Sequence, residues 1–106
     1  MNTCTFLCLI FSMVWLCAFQ AVAKPAITYA GGDGSSIEKA IIIKNATEET
    51  GVSAEYEYLA KHYPGYKMGK QALRSNKGRA YDVLDFMTAD GKKMTIFFDI
   101  TEFFGK

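Results

Sequence analysis

The stretch Arg79 to Phe104, RAYDVLDFMTADGKKMTIFFDITEFF, constrains the fold more than any other part of the chain. Two runs rich in β-branched and aromatic residues flank Asp90-Gly91, a dipeptide suited to the positive φ angles of a tight hairpin turn. A two-residue loop sets Ala89 opposite Lys92. It pairs Met87 with Met94, Asp85 with Ile96, Val83 with Phe98 and Tyr81 with Ile100 on one mainly apolar face. The other face then carries Thr88 with Lys93, Phe86 with Thr95, Leu84 with Phe97 and Asp82 with Asp99. A three-residue loop with a bulge would move every pair by one position. Phe103 and Phe104 close the stretch and are expected to fold back over the core, with at least one ring buried.

At the other end, residues 4–23 carry no charge and finish in Ala21-Val22-Ala23, the small-x-small pattern of a signal-peptidase site. The expectation is a signal peptide over residues 1–23 and a single small α+β domain over residues 24–106. Cys4, Cys8 and Cys17, the three cysteines of the chain, all fall in the signal. The exported product would then have no disulfide and no thiolate ligand, and must be held by its core alone. With twelve basic and eleven acidic residues, net charge selects no class of partner. Nucleic acid is not expected as a partner of an exported protein so nearly neutral.

Between these ends, Gly31-Gly32-Asp33-Gly34-Ser35-Ser36 reads as an exposed loop, either an anion-binding nest or a turn capped by its own Asp and Ser. Ala40-Ile41-Ile42-Ile43-Lys44 is a β-branched run too short for a helix and suits an internal strand. Thr47 is a plausible N-cap, with Glu48 and Glu49 at the positive end of the helix dipole and Pro64-Gly65 as a stop. Val52, Tyr56, Leu59, Ala60 and Tyr63 form an apolar stripe at helical spacing. A strand from Tyr66 to Arg74 and a turn over 75–78 then lead into the hairpin. The expected architecture is one amphipathic helix on a mostly antiparallel sheet of about four strands, β-α-β-β-β, or five if Ala26–Tyr29 adds an edge.

Gly31 to Ser36, Ala54-Glu55-Tyr56, Tyr81-Asp82, Phe98-Asp99-Ile100 and Phe103-Phe104-Gly105 together resemble a group of small exported bacterial proteins of unknown function. The resemblance implies a bacterial exported α+β domain and brings no activity with it.

Catalytic chemistry is thinly supplied. His62 is the one histidine of the chain, and the usual zinc ligand sets need more His or Cys than the exported part would have. Asp82 opposite Asp99 would need a cation, a neutralising base, a shared proton or a different register, since like charges across a strand pair repel. The plainer reading has each carboxylate hydrogen-bonded to a nearby turn. Lys67, Lys70, Arg74, Lys77 and Arg79 form a basic stretch with no acid from Tyr58 to Tyr81, a surface for an anionic partner or a solvated, lysine-guarded strand edge. The sequence therefore points to a non-catalytic binding module of the bacterial envelope or the extracellular space. It would have no cofactor and no lasting membrane insertion, and its partner would be a protein or an anionic envelope component. The alternatives are a secreted hydrolase inhibitor presenting its hairpin tip, a carboxylate enzyme using Asp82, Asp85 and Asp99, or a cation-binding protein using Asp82 and Asp99.

Overall fold

The computed structural model describes residues 25–106, so the expected signal segment and its expected cleavage site lie outside the described residues. The elements run β1 (Thr28–Gly31), β2 (Ile41–Lys44), α1 (Glu48–His62), β3 (Lys67–Asn76), β4 (Arg79–Met87) and β5 (Lys93–Asp99). They form an α+β layer of one helix on a five-stranded sheet of order β1-β2-β5-β4-β3. All neighbours are antiparallel except β2 and β5, which the path through α1 and the β3-β4 hairpin brings side by side in the same direction. The fifth strand is β1, which adds to the outer edge of β2. Among the described residues, no helix is long and apolar enough to cross a membrane.

The central hairpin corrects the expected register. Its loop has three residues, Ala89, Asp90 and Gly91, closed by Thr88 N–H to the Lys92 carbonyl at 2.8 Å and Gly91 N–H to the Thr88 carbonyl at 2.9 Å. Only Gly91 takes a positive φ, +86°, whereas a two-residue turn of the expected kind needs positive φ at Asp90 as well. The doubly positive turn occurs instead at Lys77-Gly78, with φ of +52° and +77°, joining β3 directly to β4. With the longer loop, Asp82 pairs with Phe98, Leu84 with Ile96 and Phe86 with Met94. The inward face of β5 is as expected, but β4 turns Asp82, Leu84 and Phe86 to the core in place of Tyr81, Val83 and Asp85.

Helix α1 begins as its sequence suggests. The Thr47 hydroxyl accepts the Thr50 N–H, and the Thr50 side chain accepts the Thr47 N–H, satisfying two helix-end donors. Its buried face, however, comprises Gly51, Ala54, Glu55 and Leu59, so the expected stripe is displaced by one position and Val52 and Ala60 point outward. Gly51 explains the rotation. A Cβ there would fall inside van der Waals contact of the Phe103 ring, so the bare glycine lets the C-terminal phenylalanine approach the helix closely. Phe103 joins Ile41, Ile43, Leu59, Leu84, Phe86, Ile96, Phe98 and Ile100 in the core, while Phe104 is exposed. The turn bearing them is tied back at two points: Glu48 accepts the Gly105 N–H at 2.8 Å and Glu102 accepts the Asn45 N–H at 3.0 Å.

The glycine loop takes the capped form. Asp33 accepts both the N–H and the hydroxyl of Ser35, at 3.0 and 2.7 Å. Gly34, with φ +81°, is buried against Ile41 and Ile96, and its carbonyl accepts the Phe97 N–H at 2.8 Å. A side chain at Gly34 would press on Ile96 and Ile41 in a backbone conformation that favours glycine, so the residue fixes the junction between loop and sheet.

Candidate functional site

Because β4 turns Asp82 inward, that carboxylate meets the helix, where its neighbour is Glu55. Glu55 is 1% exposed and Asp82 6% exposed. Among the described residues, no N–H or O–H group donates to either oxygen of Glu55. Burial, and after it the nearby Asp82 carboxylate, push the Glu55 pKa up to about 10, so at neutral pH this carboxyl keeps its proton. The proton supplies the hydrogen bond that two bare carboxylates could not make.

A short polar chain covers the pair. Gln71 of β3 donates its amide to Asp82 at 2.8 Å, and its amide oxygen accepts the Tyr56 hydroxyl at 2.9 Å. Gln71 itself is exposed, whereas Tyr56 is half-buried against the core. Beside it opens a groove of about 380 Å³ between α1, the second half of β3 and the C-terminal turn. Ile100 and Phe103 supply apolar wall, and Glu48 stands at the helix start. Val52, Leu73 and Phe104, which are 43%, 54% and 45% exposed, also line it. Among the described residues these are three of the four large hydrophobic side chains left most open to solvent, the other being Tyr29.

The pairing expected between Asp82 and Asp99 does not form. Asp82 pairs across the strands with Phe98 and Asp99 with Tyr81, so the two carboxylates lie on opposite faces of the sheet. Asp99 is held by Arg79 Nε at 2.7 Å, by the Thr101 hydroxyl at 2.6 Å and by the Thr101 N–H at 3.1 Å. Burial alone would raise its pKa, but these donors outweigh burial and hold it below the usual carboxylate range. Asp85 also faces away from the helix, accepting the Thr95 hydroxyl at 2.7 Å. Among the described residues, no three His, Cys, Asp or Glu side chains gather as a metal-holding group.

The basic stretch is divided rather than continuous. Lys67 and Lys70 line a second groove of about 550 Å³ together with Lys93 and the side chains of Met68, Met87 and Met94. That groove lies where the β3-β4 register shifts between Met68 and Gln71. Arg74 is on the outer face opposite Tyr81, Lys77 is in the β3-β4 turn and Arg79 is engaged by Asp99. His62 is exposed and stacks on Tyr58, with ring centroids 4.0 Å apart.

Glu55 was not expected in a site, because a glutamate among the helix acids Glu48, Glu49 and Glu57 reads as solvated. The signal was Gly51 one turn earlier, since a glycine inside a helix marks the face that something approaches closely.

The arrangement is that of a small α+β domain with a buried carboxyl pair under an apolar groove. No protein family, curated protein or solved structure matches the chain.

Proposed function

We propose that this chain is a small exported, non-catalytic binding module of the bacterial envelope or extracellular space, and that the groove formed by Val52, Leu73 and Phe104 is where it binds. The observation that carries the reading is the gathering of exposed apolar side chains around one concavity. A domain with so little core gains stability by burying such residues, and apolar patches left open mark binding surfaces. Export rests on the uncharged residues 4–23 and the Ala21-Val22-Ala23 site.

The test uses hexanol as an apolar probe, followed by amide NMR. Saturable shifts at Val52, Leu73, Gln71 and Phe104 are expected. In the Leu73→Ser, Phe104→Ser double variant they should weaken at least tenfold, with melting nearly unchanged because both side chains are exposed. Shifts scattered over the surface, or unaltered by the double substitution, would refute the groove.

A second reading draws on the Met-lined groove, which Lys67, Lys70 and Lys93 line together with one acid, Asp85. Three lysines around apolar, adaptable methionine walls suit an anionic partner with an apolar portion.

A further inference from the structure

The apolar groove accounts for Val52, Leu73 and Phe104 but leaves the carboxyl pair beside it unexplained. A hydrophobic ligand alone would be served as well by a leucine at position 55. Every titratable side chain among the groove's lining residues is acidic: Glu48 at the mouth, and Glu55 and Asp82 within. Glu48 already accepts a backbone N–H, and Asp82 accepts from Gln71. Among the described residues, Glu55 accepts from no donor. The groups facing Glu55 are Asp82 from β4 and, on its own helix, Tyr56, whose hydroxyl is turned to Gln71. Among the described residues, no lysine, arginine or histidine lines the groove.

Resting on the reading of this groove as the binding site, we infer that its ligand is a small organic cation with an apolar body. The alkyl portion would lie against Val52, Leu73 and Phe104, and the charged head would displace the exposed Gln71 amide from Asp82. A positive head group placed there meets the Asp82 carboxylate that Gln71 now engages. It also makes loss of the Glu55 proton easier, because an adjacent cation favours the ionised carboxyl. Binding and deprotonation are therefore linked. Affinity for a permanently charged cation rises with pH as Glu55 approaches its titration near 10. A groove of about 380 Å³ is within the usual range for a small-molecule site.

Hexylguanidinium is a suitable probe because its charge does not titrate in the working range. It is compared with hexanol and hexanoate by amide NMR titration. The expected result is saturable binding at the groove residues at least tenfold tighter than hexanol, with hexanoate weakest, and tightening between neutral and alkaline pH. In Asp82→Asn the preference for the cation over hexanol should vanish. In Glu55→Gln, which keeps the side-chain shape, the rise with pH should vanish while hexanol binding persists. Equal binding of hexanol and hexylguanidinium at the groove would overturn the cation inference and leave the groove standing. Failure of both to bind there would remove both readings. A cation preference that survives Asp82→Asn, or a pH response that survives Glu55→Gln, would also overturn the inference.

Discussion

Gly51 sets the position of the helix more than any apolar residue on it. Replacing a mid-helix glycine with alanine ordinarily stabilises by about 1 kcal/mol through propensity. Here the added methyl would drive into the Phe103 ring, and overpacking of this kind costs about 1–3 kcal/mol. Steric conflict should win, so Gly51→Ala is expected to lower the melting temperature by several degrees. A smaller partner should relieve it: Phe103→Leu should cost less in the Gly51→Ala background than alone, since residues in contact are coupled. Additive losses in that cycle would show that the two positions do not meet. The same residue marks the limit of sequence reading for the helix. Its extent and caps were legible from Thr47, Glu48, Glu49 and Pro64, which are local signals. The buried face was not, because Val52 and Glu55 exchange the exposures their chemistry suggests, and only the tertiary approach of Phe103 decides it.

For the strands, the alternation was legible and the pairing was not. The inward set of β5 follows from its own sequence, whereas the inward set of β4 depends on whether the loop at Asp90-Gly91 has two or three residues. One residue of loop length therefore moved Asp82 from the partnership expected with Asp99 to one with Glu55. Strand β3 shows the related problem for charge. Five basic residues adjacent in sequence are separated by a register shift and a tight turn, so they cannot act as one surface. The prediction for this element divides them accordingly. If the lysine-rimmed groove holds an anionic partner, Lys67→Glu with Lys70→Glu should weaken retention on dextran sulfate at least tenfold at low salt. Arg74→Glu with Lys77→Glu should have a much smaller effect. Retention by the wild type should fall as salt rises, because exposed charges are screened over about 10 Å at 0.1 M. Equal loss in both double variants would mean that the chain's overall charge, not the groove, does the binding.

At the scale of the whole molecule, two kinds of carboxyl oppose each other in setting stability against pH. Asp99 is held low once the donors Arg79 and Thr101 outweigh burial, and Asp33 and Asp90 are held low chiefly by hydrogen bonds from Ser35 and Thr88. Such groups contribute stability that is present above their ordinary pKa near 3.8 and is lost as pH falls through the depressed value. Glu55 works in the other direction. Its folded pKa of about 10 lies above its ordinary 4.5, so the folded state keeps a proton that the unfolded chain releases. Its relative contribution is full below about 4.5 and is lost progressively as pH rises toward 10. At about 1.4 kcal/mol per pH unit, the loss by neutral pH is of the order of 3 kcal/mol, a large share of the roughly 5–15 kcal/mol that holds an ordinary domain together. The domain should therefore be most stable at mildly acidic pH and should weaken toward alkaline pH. Urea denaturation at several pH values tests this: the wild-type midpoint should fall from pH 5 to pH 9, and Glu55→Gln should flatten that slope and raise the midpoint at pH 7 and above. A wild-type midpoint that is level or rising over that interval would mean that Glu55 ionises in the folded protein at ordinary pH. If the slope is as expected, the chain keeps at position 55 a residue that weakens it under neutral conditions. A buried carboxyl retained against stability would support the proposed groove, because strongly perturbed groups are more frequent where ligands bind.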